Sequence, residues 1–121
     1  MTLRMRRLMV VIAAALACAA GPPLNERWRI IGPGGGGSLY HPTVSPHDSR
    51  TALLACDMTG AYITHDGGAT WRIFNLGEPV QFFVFDPLDA KVIYANAGAG
   101  GVFRSGDAGA TWQRFFPRNV Q

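Results

Sequence analysis

The feature that most constrains this chain is an internal repeat of 41 residues. The hexapeptide Asp66–Trp71 (DGGATW) returns 41 positions later as Asp107–Trp112 (DAGATW). The match continues without a gap on both sides, since Pro46 aligns with Pro87 and Gly60 with Gly101 at the same shift. The repeat indicates two copies of one supersecondary unit, each of which must bury its apolar surface against a neighbour.

The sequence of each repeat unit predicts four short strands. Segments rich in Val, Ile, Phe, Tyr and Trp alternate with turn-forming clusters such as Pro46–Ser49 and Met58–Gly60. A period of about 40 to 45 residues is typical of β-propeller blades, and the Gly-rich body lacks the apolar periodicity of helical repeats. We predict strands at residues 39–44, 51–56, 61–64, 71–75, 80–85, 91–95, 101–105 and 112–116.

The predicted fold is all-β, with two four-stranded antiparallel blades of an incomplete β-propeller, preceded by a signal-peptide helix. Closed rings have typically four to eight blades, so we expect the N-terminal part of a longer propeller or a truncated gene product. Residues 28–31 form a further predicted strand, which would close the ring by completing the last blade. The predicted organisation is a signal peptide at 1–20, a Gly/Pro-rich segment with the closing strand at 21–37, and blades at 38–78 and 79–121.

The first twenty residues have the layout of a secretory signal peptide. Arg4, Arg6 and Arg7 form a basic start, and the apolar run Leu8–Ala20 is too short for a spanning helix of about 20 residues. We therefore predict an exported protein, secreted or periplasmic, without a membrane span. The alternative is a lipoprotein anchored at Cys18, because Ala15-Leu16-Ala17-Cys18 approximates a lipidation box.

The charge of the chain excludes a nucleic-acid partner on electrostatic grounds. The formal net charge of +3 comes from 11 basic and 8 acidic residues, and three of the arginines lie in the predicted signal peptide. The remainder is balanced and has no basic stripe to pair with phosphates. We also predict no cofactor and no metal, since His41, His47 and His65 lack ligand spacing.

The repeated hexapeptides predict hairpin turns held by an aspartate. An Asp at the tip of a hairpin accepts backbone N–H bonds within its own turn, and the Gly two positions later takes a positive φ easily. The pattern resembles the Asp-box of bacterial neuraminidase-type repeats, which implies a structural rather than a catalytic role. The residues concerned are Thr64, Asp66, Gly68 and Trp71 in the first unit and Ser105, Asp107, Gly109 and Trp112 in the second.

Asp57 is the residue at which the first unit departs from the second, where Gly98 stands instead. The Gly run 34–37, followed by Ala55–Tyr62 (ACDMTGAY), resembles the opening of family 74 glycoside hydrolases, the xyloglucan-cleaving propellers. The resemblance implies that Asp57 is the general base of an inverting hydrolase, whose general acid comes from a later domain. Cys56 and Thr59 depart from the family pattern. The alternative is that Asp57 only stabilises the turn that follows it.

Two functional hypotheses remain at this stage. In the first, an exported propeller binds or cleaves a polysaccharide, with Asp57 as base and Tyr62 and Tyr40 stacking on sugar rings. For both tyrosines the alternative is packing in the core or between blades. In the second hypothesis, a non-catalytic propeller binds a protein, peptide or carbohydrate partner, as in the sortilin-type and photosystem-assembly repeat proteins that it resembles.

The predicted signal peptide is tested by the mass of the exported protein. We expect cleavage between Ala17 and Pro22, because small residues follow the apolar run. Mass spectrometry of the purified exported chain measures the new N-terminus. A product that retains Met1 would contradict the signal peptide, and a diacylated N-terminal Cys18 would select the lipoprotein alternative.

Overall fold

The structure is a computed structural model, and it describes residues 29–34, 37–58 and 60–116. The chain divides into two compact units, Met1–Ile30 and Ile31–Gln121. Of the first unit only Arg29 and Ile30 are described, and both are exposed. The predicted signal peptide and the lipidation candidate Cys18 lie outside the described residues. Among the residues that are described, none belongs to a helix long and apolar enough to cross a bilayer.

The compact part Ile31–Gln121 contains two four-stranded antiparallel sheets, one for each copy of the repeat, as the repeat predicts. Each sheet is a meander, in which consecutive strands are hydrogen-bonded neighbours. The first sheet contains β1 (Leu39–Val44), β2 (Ala52–Cys56), β3 (Gly60–Thr64) and β4 (Arg72–Phe74). The second contains β5 (Phe82–Phe85), β6 (Ile93–Asn96), β7 (Val102–Ser105) and β8 (Gln113–Phe116).

The four-stranded sheets confirm the all-β prediction, and the strand ends differ from it by no more than two residues. A short 3-10 turn, Gly98–Gly100, joins β6 to β7. The register of β1 against β2 shifts between Tyr40 and Thr43, where Pro42 cannot donate a backbone hydrogen bond. In the second sheet β5 pairs with β6 without interruption, and the register shift lies instead between β7 and β8, at Val102 and Phe103.

The predicted closing strand at 28–31 stays a prediction, because the described residues include only part of it. Trp28 lies outside the described residues, and Arg29–Ile31 are not assigned to a strand. The prediction required the sheet of a last blade, which the described part of the chain does not contain. Instead, the carbonyl oxygen of Ile31 accepts a hydrogen bond of 2.6 Å from the indole Nε1 of Trp71.

The core lies between the two sheets. Leu53 and Ile63 are opposite each other on the inner face of the first sheet, and Phe83 and Ile93 belong to the inner face of the second. Alternate residues of each strand point to this core, because successive side chains of a strand point to opposite faces. The buried apolar cluster is continuous across the two sheets.

Phe74 joins the sheets at the centre of their contact. Its ring stacks on Trp112, with centroids 5.0 Å apart and planes 13° apart. It also meets Phe83 edge to face, with centroids 6.3 Å apart. Two polar contacts support this packing, since Arg72 Nη2 donates to the carbonyl oxygen of Gly109 and the His47 ring is 2.7 Å from the carbonyl oxygen of Asp86.

We predict that Phe74→Ala destabilises the fold by about 3–5 kcal/mol, because the change leaves a cavity between the sheets and removes the stack on Trp112. Urea unfolding followed by tryptophan fluorescence measures the loss. Phe116→Ala is the matched control, since Phe116 is 65% exposed and Phe74 only 8%. Equal unfolding midpoints for the two variants would contradict the central place of Phe74 in the core.

Candidate functional site

Asp57 is the first residue after β2, and its carboxylate is held through one oxygen. The backbone N–H of Ser38 donates to Asp57 Oδ1 at 2.8 Å, and the backbone N–H of Asp57 donates to the carbonyl oxygen of Ser38 at 3.3 Å. The thiol of Cys56 lies 3.9 Å from the same Oδ1. Within the described part of the chain, Oδ2 has no hydrogen-bond partner. Within the described residues, the exposed carboxylate is therefore held through Oδ1.

A shallow cavity of about 90 Å³ lies beside Asp57. It forms where the β2–β3 connection meets the β4–β5 connection, so two loops distant in sequence line one depression. The lining residues are Asp57, Met58, Gly60, Asn75, Gly77, Glu78 and Pro79. Small-molecule sites usually measure about 300–1,000 Å³, so this depression is too small to enclose a sugar chain without further walls.

Tyr40 and Tyr62 lie on opposite faces of the first sheet. Tyr40 pairs with Ala55 on the inner face, where it packs half-buried against the core and meets His41 edge to face. Tyr62 pairs with Leu54 on the outer face and is also half-buried. The structure does not bring the two rings together, and neither lines the depression beside Asp57. Their role in carbohydrate binding stays a prediction.

The Asp-box turn has the same set of hydrogen bonds in each copy of the repeat. Asp66 Oδ1 accepts from the Thr64 hydroxyl and the Thr70 backbone N–H at 2.7 and 2.9 Å, and Oδ2 accepts from the Thr70 hydroxyl at 2.6 Å. Gly68, at φ +84°, donates its N–H to the Thr64 hydroxyl at 3.0 Å. Both oxygens of the carboxylate are therefore engaged within the turn.

The second turn repeats this arrangement. Asp107 accepts from the Ser105 hydroxyl and from the backbone N–H of Thr111, each at 2.8 Å, and from the Thr111 hydroxyl at 2.6 Å. Gly109 takes φ +85°. A carboxylate that accepts several hydrogen bonds is stabilised in its charged form. This stabilisation supports a structural role in the turn and makes the carboxylate a weaker proton acceptor.

These hydrogen bonds lower the pKa of both aspartates. The Thr111 hydroxyl, then the Thr111 backbone N–H and the Ser105 hydroxyl, lower the pKa of Asp107 from 3.8 to about 2. The corresponding donors from Thr70 and Thr64 hold the pKa of Asp66 well below its ordinary value of 3.8. In both turns the bonded donors outweigh the opposing effect of desolvation.

Two features of this region were not predicted from the sequence, although signals for them exist. Glu78 lines the depression beside Asp57. At the 41-residue shift Glu78 aligns with Gly37, so a carboxylate in one repeat copy replaces a glycine in the other, as it does at Asp57. The hydrogen bond between Ile31 and Trp71 also corresponds to a pattern in the sequence. Trp28-Arg29-Ile30 repeats the residues Trp71-Arg72-Ile73, which suggests that residues 28–31 correspond to a fourth strand of a blade.

Comparison with known proteins gives a likeness of fold. No protein-family model matches the chain, and no curated protein matches it in sequence. Among solved structures, the GH74 xyloglucanase from Xanthomonas campestris resembles it with a TM-score of 0.51 and 21% sequence identity. The match covers 66% of this chain and 15% of the xyloglucanase chain, so this chain spans a small part of that enzyme. The two stacked sheets thus have the fold of part of a propeller-type glycoside hydrolase.

The lowered pKa of Asp107 predicts a stability change in acid. The folded pKa of about 2 lies below the ordinary value of 3.8, so the stabilisation is complete above about pH 4 and is lost as the pH falls towards 2. We expect the difference in urea midpoint between the wild type and Asp107→Asn to shrink from pH 6 to pH 2. A difference that does not change with pH would show that the charged form of Asp107 adds nothing to the turn.

Proposed function

We propose that this chain is the N-terminal part of an exported Asp-box β-propeller of the glycoside-hydrolase type, and that Asp57 is its general base. The observation that supports the base most directly is the geometry of its carboxylate. The Ser38 N–H holds Oδ1 at 2.8 Å, and among the described residues none donates to Oδ2, the oxygen that accepts a proton from water in this proposal. The other two aspartates of the repeat pattern, Asp66 and Asp107, have both oxygens engaged in their turns.

The outer faces of both sheets support the proposal of a longer propeller. On the outer face of the first sheet, Val44 and Ile73 are 57% and 51% exposed. On that of the second sheet, Phe82 and Val84 are each 48% exposed. Rows of half-exposed apolar side chains on a sheet face are expected where a further sheet packs. This supports units at 38–78 and 79–121 as consecutive blades, with residues 21–37 leading into them.

The proposed chemistry is inverting hydrolysis of a β-glucan such as xyloglucan. In an inverting enzyme a carboxylate removes a proton from a water molecule, while a carboxylic acid about 6.5–9.5 Å away protonates the leaving oxygen. Asp57 takes the first role, and a residue of another domain takes the second. The small size of the depression agrees with a site whose remaining walls come from other blades.

The second candidate function is a non-catalytic propeller that binds a protein, peptide or carbohydrate. The observation that favours it is the departure from the hydrolase pattern beside the proposed base, where Cys56 replaces the usual Thr and places its thiol near Oδ1. A thiol is a weaker hydrogen-bond donor than a hydroxyl. In this alternative Asp57 only closes the turn between β2 and β3.

The role of Asp57 is tested by Asp57→Asn in the full-length protein of which this chain is a part. The amide keeps the shape and still accepts from Ser38, but it cannot take up a proton as a base. General base catalysis contributes about 10²–10⁴-fold, so xyloglucan hydrolysis should fall at least about a hundredfold. Asp66→Asn is the control, since it weakens a turn and should leave turnover per folded molecule unchanged.

Two outcomes would contradict this proposal in different ways. Equal turnover of the wild type and Asp57→Asn, in a protein that does cleave glucan, would remove Asp57 from the mechanism. A full-length wild type that cleaves no glucan would favour the binding module instead. Reducing-sugar release measures the turnover, and a binding assay with xyloglucan oligosaccharides shows whether the sugar site is retained.

A further inference from the structure

A side chain at position 37 would come into close contact with the Asp57 carboxylate. A Cβ added to Gly37 would lie 2.8 Å from Asp57 Oδ1, 3.0 Å from Cys56 Sγ and 3.4 Å from Met58 Cβ. The backbone of Gly37 also has φ +94°, a region that favours glycine. Gly37 therefore meets two separate requirements for glycine, one from its own backbone and one from the carboxylate beside it.

The conformation of Gly37 determines how Ser38 meets Asp57. Ser38 follows Gly37 directly and precedes β1, and its N–H and carbonyl both bond to Asp57. The bond from the Asp57 N–H to the Ser38 carbonyl extends the β1–β2 backbone pairing by one position beyond the Leu39–Cys56 pair, and the Ser38 N–H donates to the Asp57 side chain instead. The side chain of Asp57 is thus held by the backbone of a segment 19 residues earlier in the chain.

We propose that Gly37 is a positioning residue for the carboxylate of Asp57. This inference rests on the proposed function, in which Asp57 is the general base. Gly37 leaves room for Oδ1 to accept the Ser38 N–H, and that bond sets the orientation of the carboxylate. A Cβ at position 37 would displace Oδ1 or the Ser38 N–H, and the carboxylate would lose its fixed orientation. Misplacement of a reacting group by about 1 Å can reduce a rate by about a hundredfold.

Gly34 provides a matched control within the same Gly run. It also has a positive φ, +67°, but a Cβ added there would meet nothing within 4 Å. Both positions therefore require alanine to adopt a positive φ, whereas only at position 37 does its Cβ contact Asp57. The strain is larger at φ +94° than at φ +67°, so Gly34→Ala controls for a positive φ in this segment, and the Ser38 signal reports the contact with the carboxylate itself.

The first experiment follows the Ser38 amide proton by NMR as the pH is changed. An N–H that donates to a carboxylate changes its chemical shift when that carboxylate is protonated. We expect a pH-dependent Ser38 shift in the wild type and in Gly34→Ala, at least a twofold smaller amplitude in Gly37→Ala, and no such step in Asp57→Asn. A merely structural role of Gly37 would leave this amplitude unchanged, and full amplitude in Gly37→Ala would overturn the proposal.

A second variant covers the case in which Gly37→Ala does not fold. Asn tolerates a positive φ better than Ala but carries the same Cβ, so Gly37→Asn should show the same loss of amplitude. The indole N–H signals of Trp71 and Trp112 report whether each variant retains its Asp-box turns. A folded Gly37→Asn with a wild-type Ser38 titration would equally overturn the proposal.

Kinetics separates this inference from the proposed function. In a full-length protein that hydrolyses xyloglucan, Gly37→Ala should lower kcat by about a hundredfold with little change in KM, whereas Gly34→Ala should keep both. Wild-type kcat in Gly37→Ala would overturn the positioning role. The absence of hydrolysis by the wild type would overturn the glycosidase proposal, and the Ser38 titration would still decide whether Gly37 positions the carboxylate.

Discussion

The stack of Phe74 on Trp112 is the contact through which the two sheets become one core. Neither sheet can bury its inner face alone, because an isolated four-stranded meander leaves the apolar side chains of that face in contact with water. Trp112 reaches the other sheet because the Asp107 turn ends β7 and directs the chain back into β8. Gly109 of that turn has no side chain, so the Ile63 side chain of the first sheet approaches it closely. A turn at the surface thereby determines the packing of the interior.

The connections at the two ends of each sheet use carboxylates in different ways. In an antiparallel meander the β2–β3 and β3–β4 connections lie at opposite ends of the strands. The β3–β4 and β7–β8 connections contain Asp66 and Asp107, whose oxygens are all engaged in hydrogen bonds. The β2–β3 connection contains Asp57, whose hydrogen bonds to described residues use Oδ1 of the carboxylate. The end of the sheets that builds the fold is thus distinct from the end where we place the chemistry.

The strands were predictable because their determinants are local. β-branched and aromatic residues mark each strand, and Pro, Gly and Asp mark the turns, so a gapless repeat places all eight strands within two residues. Asp57 was also identifiable, because a position that differs between two copies of one unit stands out in a repeat. Glu78 was not recognised, since its proximity to Asp57 depends on where the β4–β5 connection runs in space. The strand predicted at residues 28–31 requires a partner sheet, and hydrogen-bonded pairing cannot be judged from one segment alone.

The sequence by itself determined the repeat period, the all-β class, the two units of four antiparallel strands and the choice of Asp57 as the unusual aspartate. Only the tertiary structure decided that the Ser38 backbone holds Oδ1 of Asp57, that a Cβ at Gly37 would contact that oxygen, and that Tyr40 and Tyr62 lie on opposite faces. The physical reason is that local conformation depends on neighbouring residues. The orientation of a single carboxylate depends instead on donors that pairing of β1 with β2 brings from 19 residues away.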